Sequence, residues 1–273
     1  MTVRTSGTTA LATGASGGIG AEFAGQLACR GHDLVLVARS AERLEEVAGA
    51  LRGEHGVRVH VMVRDLAEAD APGRIAAELS ARGIAVDLLV NNAGFGTAGR
   101  FEEIPAGEDH RQVMVNVASV VGLTRVIAPG MVERGRGGIV NVSSTAGLQP
   151  SPYFAVYGAG KAFLLNFSLA LRAEYRRRGV RVVALCPGPT RTRFFDRMGE
   201  KAAIGGRFMS PEAVVRAGLR GLDRDLAYVV PGFANSVSAH LTPRRPRRFV
   251  AAVSERVTRS VLDTPPGGQQ PSV

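Results

Sequence analysis

Short, unbroken apolar runs alternate along the chain with longer stretches in which apolar residues recur every three or four positions. The runs fall at 8–13, 34–38, 58–63, 87–91, 138–142, 180–186 and 227–230. The periodic stretches fall at 19–30, 41–55, 69–82, 109–134, 153–178 and 211–224. Continuous runs of Val, Leu, Ile and Ala are the pattern of strands buried on both faces of a parallel sheet. In 41–55, Leu44, Val47, Ala48 and Leu51 make one apolar stripe opposite a charged face, which predicts a sheet-covering helix. The alternation predicts an α/β fold: a doubly wound parallel sheet of about seven strands, with right-handed crossovers and helices on both faces. No repeat or linker interrupts residues 1–230, which read as one domain. Residues 231–262 read as a basic, partly helical extension, and 263–273, "DTPPGGQQPSV", as a disordered tail.

Composition narrows the class. An apolar fraction of 45% and a charged fraction of 21% are those of a soluble globular chain. Cys29 and Cys186 both stand in apolar sequence, which points to a reducing compartment without a disulfide framework. No apolar run reaches the ~18 residues of a membrane span, and the first apolar stretch ends in a glycine-rich turn rather than a cleavage site. A cytoplasmic location is the expectation. The net charge of +10 comes from scattered arginines with few aromatics beside them, so no nucleic-acid partner is expected.

The first strand runs into "TGASGGIG", with Gly14, Gly18 and Gly20 ahead of a helix. Glycines there remove side chains that would block a pyrophosphate, and the helix N-terminus offers free N–H groups. The spacing departs from Gly-x-Gly-x-x-Gly. The second strand ends in Ala38-Arg39-Ser40, with no acid at its tip. A dinucleotide bound through its ribose 2′-OH wants a carboxylate at this point, and a 2′-phosphate wants a cation. Arg39 therefore predicts NADP(H) over NAD, with Ser40 beside it capping the next helix.

Only Lys161 and Lys201 are lysines; the other basic residues are arginine. Lys161 follows Tyr157 by four residues in a helical stretch, so the two share a face about 5–6 Å apart. An ammonium about 5 Å from a phenol, at an effective dielectric near 20, stabilises the phenolate by roughly 3 kcal/mol. That field is expected to bring Tyr157 down toward neutral pH, where it can exchange protons. Ser143 and Ser144 follow the run "GGIVNV", at a strand's C-terminal edge where open α/β sheets place ligands. Either hydroxyl can reach a substrate carbonyl or cap a turn.

Seven motifs stand in order: "TGASGGIG" at 13–20, "RDL" at 64–66, "NNAG" at 91–94, "VNV" at 115–117, "NVSS" at 141–144, "YGAGK" at 157–161 and "CPGPTRT" at 186–192. In this the chain resembles the short-chain dehydrogenases/reductases, single-domain Rossmann-like enzymes. The resemblance covers residues 8 to 230. It implies Tyr157 as proton donor and acceptor, Lys161 as the residue that lowers its pKa and holds the nicotinamide ribose, and Ser144 (Ser143 as runner-up) on the substrate carbonyl. It implies that Asn116 kinks its helix and holds a relay water. Asp65, with Leu66, would meet the adenine. Asn92, Ala93 and Gly94 would run under the cofactor, Ser16 and Ile19 would join the glycine turn, and Pro187, Gly188, Thr190 and Thr192 would meet the carboxamide. Gly160 departs mildly from the family, where a small hydroxyl residue is commoner. The implied activity is reversible hydride transfer between NADP(H) and a carbonyl or alcohol carbon, with no metal, in a homodimer or homotetramer. The alternative is a catalytically silent NADP(H)-binding regulator or scaffold.

The substrate pocket is expected from 95–105, 149–154 and 189–210, including Phe101, Phe154, Phe194, Phe195, Met198, Ile204, Phe208 and Met209. The apolar content of the last segment fits either a lid over a hydrophobic carbonyl compound or ordinary loop packing. Beyond 231, Phe249, Val253, Val257 and Val261 fall four apart beside the cluster "PRRPRR". Docking on the body or on a second subunit is the favoured reading there, ahead of peripheral contact with an anionic membrane.

Overall fold

The computed structural model describes residues 8–196 and 208–259. Met198, Ile204, Val261 and the tail 263–273 lie outside the described residues. Seven strands form one parallel sheet: β1 (Thr9–Thr13), β2 (Asp33–Ala38), β3 (Val59–Val63), β4 (Val86–Asn91), β5 (Gly137–Val142), β6 (Val180–Leu185) and β7 (Tyr228–Val229). Their order is β3-β2-β1-β4-β5-β6-β7. The winding reverses between β1 and β4, and that reversal opens a crevice at the strands' C-terminal ends.

Strand residues alternate between two cores, as the pleat requires. On one face Ala10, Leu36 and Val140 meet Phe23, Leu44 and Leu219 from α1 (Gly18–Cys29), α2 (Ala41–His55) and α7 (Pro211–Asp223). On the other, Leu11, Val35 and Ile139 meet Ile75, Leu123 and Leu171. Those come from α3 (Ala71–Ala81), α5 (Ser119–Glu133) and α6 (Ala155–Tyr175). The predicted helix 109–134 is present but not uniform. It comprises α4 (Glu108–Val113), a π turn (Met114–Ala118) and α5. As a whole, Glu108–Glu133 is long and apolar enough to cross a membrane, but here it covers the sheet, with Leu123, Ile127 and Met131 buried. Two further helices follow β7: α8 (Phe233–Leu241) and α9 (Arg247–Thr258). The cysteines are unpaired. Cys186 is buried, whereas Cys29 is exposed at the end of α1, contrary to its apolar sequence context.

A buried polar chain ties the sheet to α6. Asn91 Nδ2 donates to Asn141 Oδ1 at 2.8 Å, Asn141 Nδ2 donates to Ser168 Oγ at 2.9 Å, and Ser168 Oγ donates to the Leu164 carbonyl at 2.6 Å. This network fixes α6, the helix of Tyr157 and Lys161, against β4 and β5. Asn141→Ala strips both neighbours of a partner in a dry setting. The expected cost is about 1–3 kcal/mol, read as a lower urea midpoint at unchanged m-value.

Candidate active site

The C-terminal ends of β1 to β6 deliver the walls of a single cleft of about 1540 Å³. That exceeds the roughly 300–1,000 Å³ of a drug-sized pocket and leaves room for a dinucleotide and a substrate together. Of the catalytic and cofactor-binding residues expected, all but Gly20 and Asn116 line it. Those two act from behind the surface.

At β1, Gly14 adopts φ 66° and Gly18 φ 55°, both left-handed. A Cβ on Gly20 would lie 2.2 Å from the Gly14 carbonyl oxygen, so only glycine lets α1 start this close to the turn. No side chain caps α1, which leaves its N-terminal N–H groups facing the cleft. Around Gly17 a Cβ would meet nothing within 4 Å, the open space that a pyrophosphate needs. Asn92 braces the turn from β4: its Nδ2 donates to the Thr13 carbonyl at 2.9 Å, while the Asn92 and Ala93 N–H groups donate to Thr13 Oγ1 at 2.9 and 3.0 Å. Opposite, Thr192 approaches Gly18, and Thr190 is buried with its hydroxyl on the Gly188 carbonyl at 3.0 Å.

At β2, Ser40 caps α2 by accepting from the Arg43 N–H. Arg39 and Arg43 both line the cleft, and neither has an ion-pair partner among the described residues. The acid lining this end of α2, Glu46, stands nearly a turn beyond Arg43. Arg43 escaped the sequence reading although it follows Arg39 by four. Asp65 is held by the Arg111 guanidinium at 2.9 Å and by the Ala67 N–H at 3.0 Å. Arg111 carried no signal in the sequence, since it arrives from α4.

The catalytic end gathers Ser144, Tyr157, Lys161 and, behind them, Asn116. Asn116 sits in the π turn, the expected kink. Its amide donates to the Phe95 carbonyl at 2.8 Å and accepts from the Phe95 N–H at 3.1 Å, so its visible work is to fix the loop after β4. Ser143 is buried and donates to the Lys161 carbonyl at 2.7 Å. Ser144 is the hydroxyl near enough to Tyr157 to oppose its rise in pKa; its Oγ also accepts from the Ala146 N–H at 3.1 Å and donates to the Pro187 carbonyl at 3.5 Å. The close approach of Ser151 explains Gly158, where a Cβ would fall 2.8 Å from the serine's own; Gly160 has ordinary room.

The electrostatics depart from expectation. Lys161 is 4% exposed, its Nζ donates to the Val142 carbonyl at 2.7 Å, and it stands 5.6 Å from the centroid of the Tyr157 ring. Burial pulls its pKa down to about 8. Tyr157 is half-buried and lines the cleft. Burial pushes this pKa up to about 12, opposed only by the Ser144 hydrogen bond. The lysine-driven fall toward neutrality is therefore absent, because desolvation of the phenolate dominates and burial pulls the Lys161 ammonium itself toward its neutral form.

Beyond Tyr157 the cleft is apolar. Phe194 lies tilted against the Tyr157 ring, centroids 5.5 Å apart, and Phe154 packs against both. Phe249, Val253 and Val257 of α9 form the far wall. Phe101 does not join them; it is 64% exposed and lines a separate small hollow. Met209 packs into the core, and Phe208 lies off the cleft. α9 is docked on the body by buried Val250, Ser254 and Thr258, and by Tyr153, whose hydroxyl donates to Glu255 at 2.8 Å.

The family profile described as "short chain dehydrogenase" matches residues 8–203. The chain belongs to the short-chain dehydrogenase family of oxidoreductases. It is 37% identical over 218 residues to a very-long-chain 3-oxoacyl-CoA reductase of Anas platyrhynchos, covering 78% of this chain and 68% of that one. Among solved structures it resembles a short-chain dehydrogenase from Sphingobium yanoikuyae in complex with NADPH, at TM-score 0.78 and 33% identity over 97% of this chain and 98% of that one. It also resembles the bulky-bulky ketone specific alcohol dehydrogenase from Comamonas testosteroni, at TM-score 0.74 and 30% identity over 97% of both.

The residues present fit a nicotinamide dinucleotide: the glycine turn of Gly14, Gly18 and Gly20 would hold its pyrophosphate, and Lys161 its nicotinamide ribose. If Arg39 and Arg43 grip a 2′-phosphate, replacing both by alanine weakens NADPH binding at least about tenfold and leaves NADH binding unchanged. Fluorescence titration of the two nucleotides against the double variant reads the difference.

Proposed function

We propose that this protein is an NADPH-dependent reductase of bulky, lipophilic ketones, with 3-oxoacyl thioesters as the leading substrate class. The observation that carries the reading is Tyr157 beside Lys161 and Ser144 at the foot of an apolar wall, in a cleft whose other end presents Arg39 and Arg43 without acidic partners. Bound NADPH supplies the hydride. Tyr157 donates its phenolic proton to the carbonyl oxygen as negative charge develops there, and the Ser144 hydroxyl donates to the same oxygen. Lys161 would hold the ribose hydroxyls of the bound nucleotide and lend its charge to the reacting groups, and Asn116 fixes the Phe95 loop beside them.

Burial holds Tyr157 protonated at neutral pH, the state in which it can give its proton to a carbonyl oxygen that is gaining negative charge. Phe154, Phe194, Phe249, Val253 and Val257 supply an extended apolar surface next to the reacting carbon. The named substrates of the duck relative and of the Comamonas enzyme are a long-chain oxoacyl thioester and bulky ketones, and both suit such a wall. A cytoplasmic homo-oligomer is part of the same proposal.

Tyr157→Phe is expected to bind NADPH normally and to lose about 10²–10⁴-fold in kcat toward a 3-oxoacyl thioester. Near-wild-type turnover would remove the tyrosine from the chemistry. Because Lys161 is charged below a pKa of about 8 and Tyr157 stays protonated well above it, kcat/KM for reduction should hold at neutral pH and fall as pH rises through about 8. Stopped-flow pH profiles of the wild type check the sign: a rate that rises through that range contradicts it.

A further inference from the structure

Helix α8 carries an apolar stripe that the fold does not use. Asn235 and Ala239 face the body: Asn235 packs on Gly188 and donates to the Pro231 carbonyl at 3.1 Å, and Ala239 is buried. Phe233, Val237 and Leu241, four residues apart, point the opposite way and are 88%, 41% and 50% exposed. Leaving a phenylalanine and two aliphatic side chains in one unbroken row in water is unfavourable, and such a row marks a contact.

The charge around the stripe says what kind of contact. Residues 231–259 hold six arginines and one glutamate, a net +5 (six minus one). The glutamate, Glu255, is taken by Tyr153 and Arg259. Arg244, Arg245, Arg247 and Arg248 follow α8 directly, all four are exposed, and none has an ion pair among the described residues. A second copy of this chain would bring the same four cations to the same face. An anionic partner with an apolar interior satisfies both features at once.

We propose that α8 and the arginine turn after it form a peripheral docking surface for an anionic lipid bilayer. Phe233, Val237 and Leu241 enter the acyl boundary, and Arg244, Arg247 and Arg248 lie among the lipid phosphates. α9 follows at once and forms the apolar wall of the cleft, so docking sets the cleft mouth beside the lipid. A lipophilic substrate then passes from bilayer to Tyr157 without crossing water; this last clause rests on the reductase reading, whereas the docking itself does not.

The test is co-sedimentation of the full chain with vesicles of phosphatidylcholine containing roughly one-third phosphatidylglycerol, against pure phosphatidylcholine. Binding to the anionic vesicles is expected to be at least about tenfold tighter and to weaken as salt rises. The variants F233S/V237S/L241S and R244Q/R247Q/R248Q should each lose about tenfold or more in vesicle binding while keeping wild-type turnover of a water-soluble ketone. The ketone assay separates this outcome from a failure of the reductase reading. Absence of binding by the wild type, or undiminished binding by the stripe variant, overturns the proposal. So does sedimentation equilibrium in vesicle-free buffer if the wild type is a dimer that the stripe variant dissociates, since the stripe is then covered by a second copy.

Discussion

An ammonium group buried at the floor of the cleft is the constraint around which the site is arranged. Lys161 is 4% exposed, and a charge in that position destabilises the fold unless fixed dipoles surround it. The Val142 carbonyl at the end of β5 meets it at 2.7 Å, and the face of Tyr157 lies beside it. Both contacts require α6 to sit at one depth against the sheet. The Asn91–Asn141–Ser168 chain and the bond from Ser143 to the Lys161 carbonyl set that depth. Burial of the lysine thus links the interior polar network to the positions of the reacting groups.

The same burial decides how the tyrosine behaves. A phenol and an ammonium placed in a dry wall are each pushed toward neutrality, Tyr157 upward and Lys161 downward. A pair in this state is suited to giving a proton away. Ser144 offers the second donor, and the apolar side chains of Phe154 and Phe194 keep the surroundings dry. On the proposed reading, a carbonyl carried by a large apolar body would exclude the remaining water as it enters.

The sheet was legible because its strands are short, fully apolar and regularly spaced; all seven expected strands are present, displaced by a residue or so at their ends. α2 was legible to the residue because Ser40 and the left-handed Gly56 punctuate it. The break at Asn116 was not visible in the apolar period, since a π turn adds one residue to a helix whose flanking stripes both still face the sheet. It entered the reading only through family resemblance. α8 was missed as an element because its apolar residues face solvent and its docking residues, Asn235 and Ala239, are not a core pattern. Spacing placed Tyr157 and Lys161 together correctly, but it gave the wrong sign for the phenol. Four-residue proximity is a local property, whereas desolvation depends on Phe154, Phe194 and the strand ends folding around the pair. Arg43 and Arg111 reach the site for a similar reason, as positions on helices whose angles only the packed molecule defines.

The state of that phenol can be read directly. With tyrosines labelled by ¹³C at Cζ, and Tyr157→Phe identifying the resonance, a pH titration of the nucleotide-free protein reports ionisation of Tyr157 alone. The account predicts a shift that stays at its protonated value through neutral and mildly alkaline pH, with no midpoint below the ordinary tyrosine value of about 10. A midpoint near neutrality would show that the lysine's field, and not burial, governs the site, and would contradict the assignment of Tyr157 as a standing proton donor.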